Sequence, residues 1–322
     1  MEAKFDIDAI ILWVDGDDEN HRIKISKYLE DDSVVNLIGF KTRYNQSNEI
    51  KYCVDSIIKF APYIKNIYII TDNQIPPFYK EADLEKYNKV KIIDHTVIFK
   101  GYEDYLPVFN SNAIETMAVK IPNLSENYIC FNDDMILIKP TKPSDFFDSN
   151  GVPIIRGKFM SFESDKLHKK LALKLGLKKP RKREYLGYTR KQDFFFKLMN
   201  QSKKICINHT PFTFRKSTME NFYKLNPEIF LNNISFKFRS GKNALTQSIS
   251  AFEEVQKNNA TLKNDYQLIQ IDSPKKNIFW IKLRLFLGKI NSNKIFLNIQ
   301  SLDLYSDAKV DYIKKWLDKL YI

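Results

Sequence analysis

IDAIILWVDGDD, residues 7–18, begins with eight residues of which only Asp8 is charged, and ends in carboxylates around one glycine. A short, nearly continuous apolar run reads as a strand covered on both faces, the situation of a parallel sheet. Asp15-Gly16-Asp17-Asp18 reads as the turn that leaves it. Working outward, the pattern recurs. Residues 66–71 (NIYIIT) form a second buried strand followed by Asp72-Asn73-Gln74. Residues 89–93 form a third, closing in Asp94-His95, and 128–131 a fourth, closing in Asn132-Asp133-Asp134. From Asn48, the residues Ile50, Val54, Ile57, Ile58 and Ala61 recur at helical spacing until Pro62 stops them. Around 112–121, Ala113, Ile114, Met117 and Ala118 share one face, and Pro122 follows.

Alternating strands and helices predict a doubly wound, mostly parallel α/β sheet. In such sheets ligands bind at the carboxyl ends of the strands. Asp15, Asp17, Asp72, Asp94, His95, Asp133 and Asp134, though far apart in sequence, are therefore expected to face one cleft.

The chain has 322 residues, 43% hydrophobic and 14% aromatic, enough to bury a large core. Nine glycines and twelve prolines supply no low-complexity linker. The formal charge of +12 suits nucleic acid, anionic lipid, nucleotide phosphates or an acidic polymer, and equally a plain solvated surface. Three widely spaced cysteines, Cys53, Cys130 and Cys206, fit reduced thiols better than a disulfide framework or a zinc site. With an N-terminus lacking the pattern of a signal peptide, they predict a cytoplasmic protein. Residues 165–190 interleave lysines and arginines with Leu167, Leu171 and Leu175, reading as a basic amphipathic helix inserted in the domain. Residues 278–290 (IFWIKLRLFLGKI) are apolar with Lys282, Arg284 and Lys289 embedded, and 307–321 reads as an amphipathic helix.

Taken singly, the polar candidates are ambiguous. Asp133 and Asp134 suit a hard divalent cation such as Mg²⁺ or Mn²⁺, or are a polar strand-end turn. Glu115 lies beside the apolar face of its helix, where it would cap Asn112. His209 precedes Thr210-Pro211 in a loop, placed for general base chemistry or for simple hydrogen bonding. Arg43, Arg215 and Arg239 carry guanidinium groups suited to bidentate contact with phosphate oxygens.

Together these residues fall into four separated blocks that strongly resemble the Stealth family of hexose-1-phosphate transferases. The first block is IDAIILWVDGDD (7–18). The second runs from NEIKYCVDSIIKFAPYIKNIYIITDNQIP (48–76) through KIIDH (91–95) and LPVFNSNAIE (106–115) to ENYICFNDD (126–134). The third is INHTPFTFRKS (207–217), continuing to FKFRS at Arg239, and the fourth KIFLNIQ (294–300). The resemblance implies a glycosyltransferase-A-like catalytic domain over 1–322. Residues 1–160 would be its nucleotide-sugar-binding core, 161–200 a basic helical insertion and 201–322 the remainder. It implies Glu115, Asp134, His209 and Arg239 as catalytic residues. It further implies Asp15, Gly16, Arg43, Asn112, Asp133 and Arg215 in substrate binding, with Asp133 and Asp134 holding Mg²⁺ or Mn²⁺. The implied reaction moves a sugar 1-phosphate from a nucleotide sugar, UDP-N-acetylglucosamine for example, to an oligo- or polysaccharide acceptor. A lipid-linked acceptor and peripheral contact with an anionic membrane accord with the basic segment. An ordinary nucleotide-sugar glycosyltransferase would share sheet and carboxylates. A nucleic-acid partner is not expected, since the basic residues form no recognition motif.

Overall fold

The computed structural model describes residues 5–29, 48–80, 85–162, 171, 175 and 188–321. The 7–18 stretch forms strand β1 (Ile7–Leu12), with every residue from Ile7 to Ile11 buried. It runs parallel between β2 (Ile67–Thr71) and β4 (Asn127–Asn132), with Ile11 opposite both Ile69 and Phe131. Strand β3 (Val90–Asp94) pairs in parallel with β2, and β8 (Phe212–Arg215) closes the far edge antiparallel to β4. The sheet order is therefore β3-β2-β1-β4-β8. The chain steps outward from β1 to β3 and then returns to place β4 on the other side of β1. Right-handed crossovers of opposite direction carry helices to opposite faces, which is the doubly wound arrangement expected, and they leave a crevice between β1 and β4.

Helix α1 (Glu19–Ser26) follows the turn after β1, with the Asp18 side chain accepting from the His21 N–H. Helix α2 (Glu49–Phe60) buries Ile50, Cys53, Val54 and Ile57, as its spacing requires, and ends before Pro62. Helix α3 (Ser111–Met117) is shorter than the 112–121 expected, because the chain tightens to a 3₁₀ turn over Ala118–Lys120 before Pro122. Its cap is Asn110, whose side chain accepts from the Asn112 N–H, and not Glu115.

Among the described residues two smaller sheets accompany the central one. Strand β5 (Met135–Leu137), directly after Asp134, joins β10 (Leu268–Ile271) and β11 (Phe296–Ile299) in the order β10-β11-β5. Strands β6 (Ile154–Met160), β7 (Lys204–Ile207) and β9 (Thr261–Lys263) form the other, in the order β7-β6-β9. Of the expected basic insertion, most lies outside the described residues; its end forms helix α4 (Tyr188–Leu198). Helices α5 (Lys216–Leu225), α6 (Pro227–Ser235) and α7 (Thr246–Gln256) pack beside α3 and β8. Helices α8 (Ile278–Ile290) and α9 (Asp307–Tyr321) contribute Ile281, Leu285, Ile313 and Leu317 to a second core with Ile269, Ile271, Leu297 and Ile299.

The charged residue within the β1 run is explained by its partners. Asp8 is fully buried, and its carboxylate accepts from Asn66 N (3.0 Å), Asn66 Nδ2 (2.9 Å) and Ser125 N (2.7 Å). It thus ties the start of β1 to the turns that lead into β2 and β4. Asp8→Ala leaves three part-buried donors without their acceptor and is expected to destabilise the fold by about 2 kcal/mol, read as a lower midpoint in urea unfolding.

Candidate active site

A cavity of about 360 Å³ opens at the carboxyl ends of the central strands, over the crevice between β1 and β4. Trp13 and Val14 line it from β1, Ile70 from β2, His95 from the end of β3, and Asn132, Asp133 and Asp134 from β4. The opposite wall comes from segments distant in sequence: His209 ahead of β8, Phe238 and Arg239 after α6, and Gln300, Ser301 and Asp303 after β11. Its size suits a small-molecule ligand.

Asp134 stands where the chain leaves the central sheet for β5. Its carbonyl accepts from Ile299 N and Asn298 Nδ2, both at 3.2 Å, so β11 fixes the backbone from which the carboxylate projects. Asp134 Oδ2 lies 3.8 Å from His209 Nε2, each side chain about one-fifth exposed (19% and 20%). That separation is beyond a hydrogen bond but within ion-pair range once the imidazole is protonated. The His209 ring is held edge-on by Tyr188 and Phe212, with centroids at 5.4 and 6.1 Å. Asp134 Oδ1 is buried without a hydrogen-bond partner among the described residues, and Asp133 lines the same wall. This hard oxygen donor set fits a cation that takes one or two carboxylates and fills its remaining positions from ligand phosphates and water. Among the described residues no group of three or more His, Cys, Asp or Glu side chains forms a ready cage.

Arg239 reaches the cavity from a loop fastened to the N-terminus of α3. Phe109 N donates to Lys237 O (2.8 Å), and the Phe109 ring stacks on Phe238 at 5.4 Å and 21°. The fully buried Asn110 donates from Nδ2 to Phe236 O and to Asn243 Oδ1, each at 3.1 Å, while its Oδ1 caps α3. Asn243 Oδ1 also accepts from Ser240 N at 2.9 Å. Glu115, one turn into α3, stands behind the wall formed by Ser111 and Ile114. Its Oε2 accepts from Thr246 Oγ1 (2.6 Å) and Gln247 Nε2 (3.2 Å). Desolvation lifts the Glu115 carboxyl above its usual range, with Thr246 and the charge of Arg239 opposing it.

The expected site residues thus divide. Asp133, Asp134, His209 and Arg239 meet at the cavity, and Glu115 backs it. Asp15 and Gly16 sit just outside: the Asp15 N–H donates to Gln74 Oε1 (2.8 Å) and its carbonyl accepts from Gln74 Nε2 (2.9 Å), joining the turns after β1 and β2. Asn112 is buried in α3 next to lining residue Ser111, and Arg43 lies outside the described residues. Arg215, expected in substrate binding, is not among the residues that line the cavity. Its guanidinium is taken by the fully buried Glu254, Nε to Oε1 at 2.9 Å and Nη2 to Oε2 at 2.6 Å, with Thr218 Oγ1 completing the group. The pair ties the end of β8 to α7.

Reading the sequence missed His21, Glu49, Phe109, Phe238 and Asp303 on the cavity wall. His21 sits 3.5 Å from Asp72, which also accepts from Lys24 Nζ at 2.8 Å. Burial opposes the Asp72 anion, yet hydrogen bonds from His21 and Lys24 outweigh it and hold the carboxyl at about 2. Desolvation is the larger effect at His95, lowering it to about 4 against the pull of Asp72 and Asp94, so the ring on the cavity wall is neutral at pH 7.

A family model described as Stealth protein CR2, conserved region 2, matches residues 43–155. The capsular polysaccharide phosphotransferase fcs1 of Haemophilus influenzae is 34% identical over 252 residues, 76% of this chain and 64% of that protein. The capsular polysaccharide phosphotransferase LcbA of Neisseria meningitidis is 38% identical over 173 residues, 53% of this chain and 44% of that protein. The chain therefore spans less than two thirds of the length of these curated relatives. Among solved structures, the galactosyltransferase LgtC superposes with a TM-score of 0.44 at 8% identity, covering 97% of this chain and 95% of that one. Mouse xyloside xylosyltransferase 1 gives a TM-score of 0.40 at 8% identity over 91% and 97%.

Two outcomes test these assignments. Glu254→Ala leaves the Arg215 charge unpaired and is expected to cost about 3 kcal/mol in chemical denaturation. For His95, the unfolded chain takes up a proton below about 6.5, whereas the folded chain resists until about 4. Stability therefore falls as pH drops from 6.5 toward 4. Thermal melts across that window should show a smaller slope in His95→Asn than in the parent.

Proposed function

Because the chain belongs to the Stealth family, we propose that it transfers a sugar 1-phosphate from a nucleotide diphosphate sugar to a saccharide hydroxyl. The donor we favour is a UDP-linked N-acetylhexosamine or hexose, with UMP as the leaving product and a phosphodiester-linked capsular or surface polysaccharide as the result. The observation that carries this reading is the convergence of Asp133, Asp134, His209 and Arg239 on one cavity from three separate segments.

In the proposed reaction the acceptor oxygen attacks the sugar-bearing phosphorus while the bond from that phosphorus to the bridging oxygen breaks. The nucleoside monophosphate carries the bond's electrons away. His209 Nε2 takes the proton from the attacking hydroxyl, and Asp134 beside it favours the imidazolium that forms. Arg239, held by the Asn110 and Phe109 tethers, neutralises the equatorial oxygens of the transferring group. Glu115 acts from behind through Arg239 and the Thr246–Gln247 pair rather than on the reacting atoms. Asp133 and Asp134 would hold Mg²⁺ or Mn²⁺, which supplies charge neutralisation to the diphosphate when bound. We place the reaction on the cytoplasmic side of the membrane, where nucleotide sugars are the donors.

Incubation with UDP-sugars and a capsule-type acceptor should release UMP; UDP as the nucleotide product would replace this reading with ordinary glycosyl transfer. His209→Ala and Asp134→Asn should each lower kcat by at least about 100-fold with little change in melting temperature. Retained turnover in both variants would remove the assigned roles.

A further inference from the structure

Helix α8 shows an apolar face on its outward side. At about 100° per residue, Ile281, Leu285 and Gly288 share the inner face and are buried. Gly288 lets the helix settle close to its sheet, since a Cβ there would stand 3.3 Å from Ile138 and Ile269. The orientation is thereby fixed, and it turns Phe279, Leu283, Phe286, Leu287 and Ile290 outward at spacings of four, three, one and three. Phe279 is 72% exposed, Phe286 55% and Ile290 59%, a continuous apolar stripe rather than scattered single residues.

Charge borders this stripe on both sides. Lys282 and Lys289 lie along one edge and Arg284 along the other. The ring of Trp280, beside the stripe, has Arg284 at 5.4 Å and Lys276 Nζ at 4.9 Å. Residues 273–294 hold six basic side chains and no acidic one. Lysine and arginine stems can lie along an apolar surface while their heads reach outward to phosphates, and tryptophan prefers the boundary between acyl chains and headgroups. With 13 residues the helix is too short to cross a hydrocarbon core, and no helix among the described residues is long and apolar enough to do so.

We propose that α8 lies in the plane of an anionic membrane surface, its apolar stripe among the upper acyl chains and its bordering cations against lipid phosphates. Charge complementarity selects this occupant: an uncharged apolar partner would offer no counter-charge to the exposed Lys282 and Lys289 along the edge of the contact. The helix packs on the sheet that contains β11 and β5, and those strands lead to Asp303 and from Asp134. Docking of α8 therefore holds the cavity at a fixed position relative to the lipid surface.

The test floats the full chain with phosphatidylcholine vesicles and with phosphatidylcholine–phosphatidylglycerol vesicles, without donor or acceptor, so that its outcome is independent of the reaction assay. The parent should partition onto the anionic vesicles, far less onto the neutral ones, and be released by salt. Phe279→Ser/Phe286→Ser/Ile290→Ser should weaken partitioning at least about tenfold, and Lys282→Gln/Lys289→Gln should weaken it about tenfold. Because these side chains are exposed, an unchanged thermal melt should accompany both losses. The control Leu231→Ser, on another exposed apolar position, should float like the parent. The lysines between 166 and 183 remain in every variant, so loss of flotation reports on α8 and not on that segment. Flotation of the triple variant equal to the parent overturns the proposal. So does equal binding to both vesicle types, or a dimer of the parent that the triple variant dissolves while neither protein floats.

Discussion

The arrangement turns on a short passage of backbone, Asn132-Asp133-Asp134, where the chain leaves one sheet and enters another. Strand β4 belongs to the central sheet and β5, beginning at Met135, to the sheet built with β10 and β11. The Asp134 carbonyl is held by Ile299 and Asn298 of β11. Two carboxylates are consequently fixed at the meeting point of two sheets, while side chains from beyond residue 295 are brought to the same cavity. Loss of that junction would separate the wall that carries Asp133 and Asp134 from the wall that carries Gln300, Ser301 and Asp303.

A second tether repeats this logic on the other side. Asn110 uses one side-chain oxygen to cap α3 and its amide nitrogen to hold the segment ahead of Arg239. One buried amide therefore sets both the helix bearing Glu115 and the loop bearing the guanidinium. Their mutual electrostatics, a desolvated carboxyl eased by a nearby arginine, is a product of that shared anchor. Preorganisation of this kind is what charge-stabilising catalysis needs, because donors already in place require no rearrangement as charge develops.

What could be read along the chain was what lies close along the chain. Buried strands at 7–12, 67–71 and 127–132 announce themselves as apolar runs, and the carboxylates after them occupy the positions where such sheets bind ligands. Asp133, Asp134 and His95 were legible for that reason. The pairing of Arg215 with Glu254 was not legible because Glu254 lies 39 residues onward in helix α7, and no local pattern reveals a bidentate pair across that distance. Asp303 and Phe238 were missed since each enters the site through a loop placed by tertiary contacts alone. Helix α8 was opaque for a different reason: apolar residues on both of its faces give no periodic contrast, so the sequence alone did not distinguish the face against β10 from the face turned outward.

The exchange of strands between regions has a further consequence. Strand β8, from 212–215, completes the central sheet, whereas β5, from 135–137, serves a sheet whose other two strands come from beyond residue 267. A fragment ending near residue 160 would expose β4 as an unprotected edge with open N–H and C=O groups, a template for strand addition between copies. It would also carry β5 with no partner strand. Among the described residues the molecule therefore has no seam between an early and a late half, because the central sheet and the β10-β11-β5 sheet each draw strands from both.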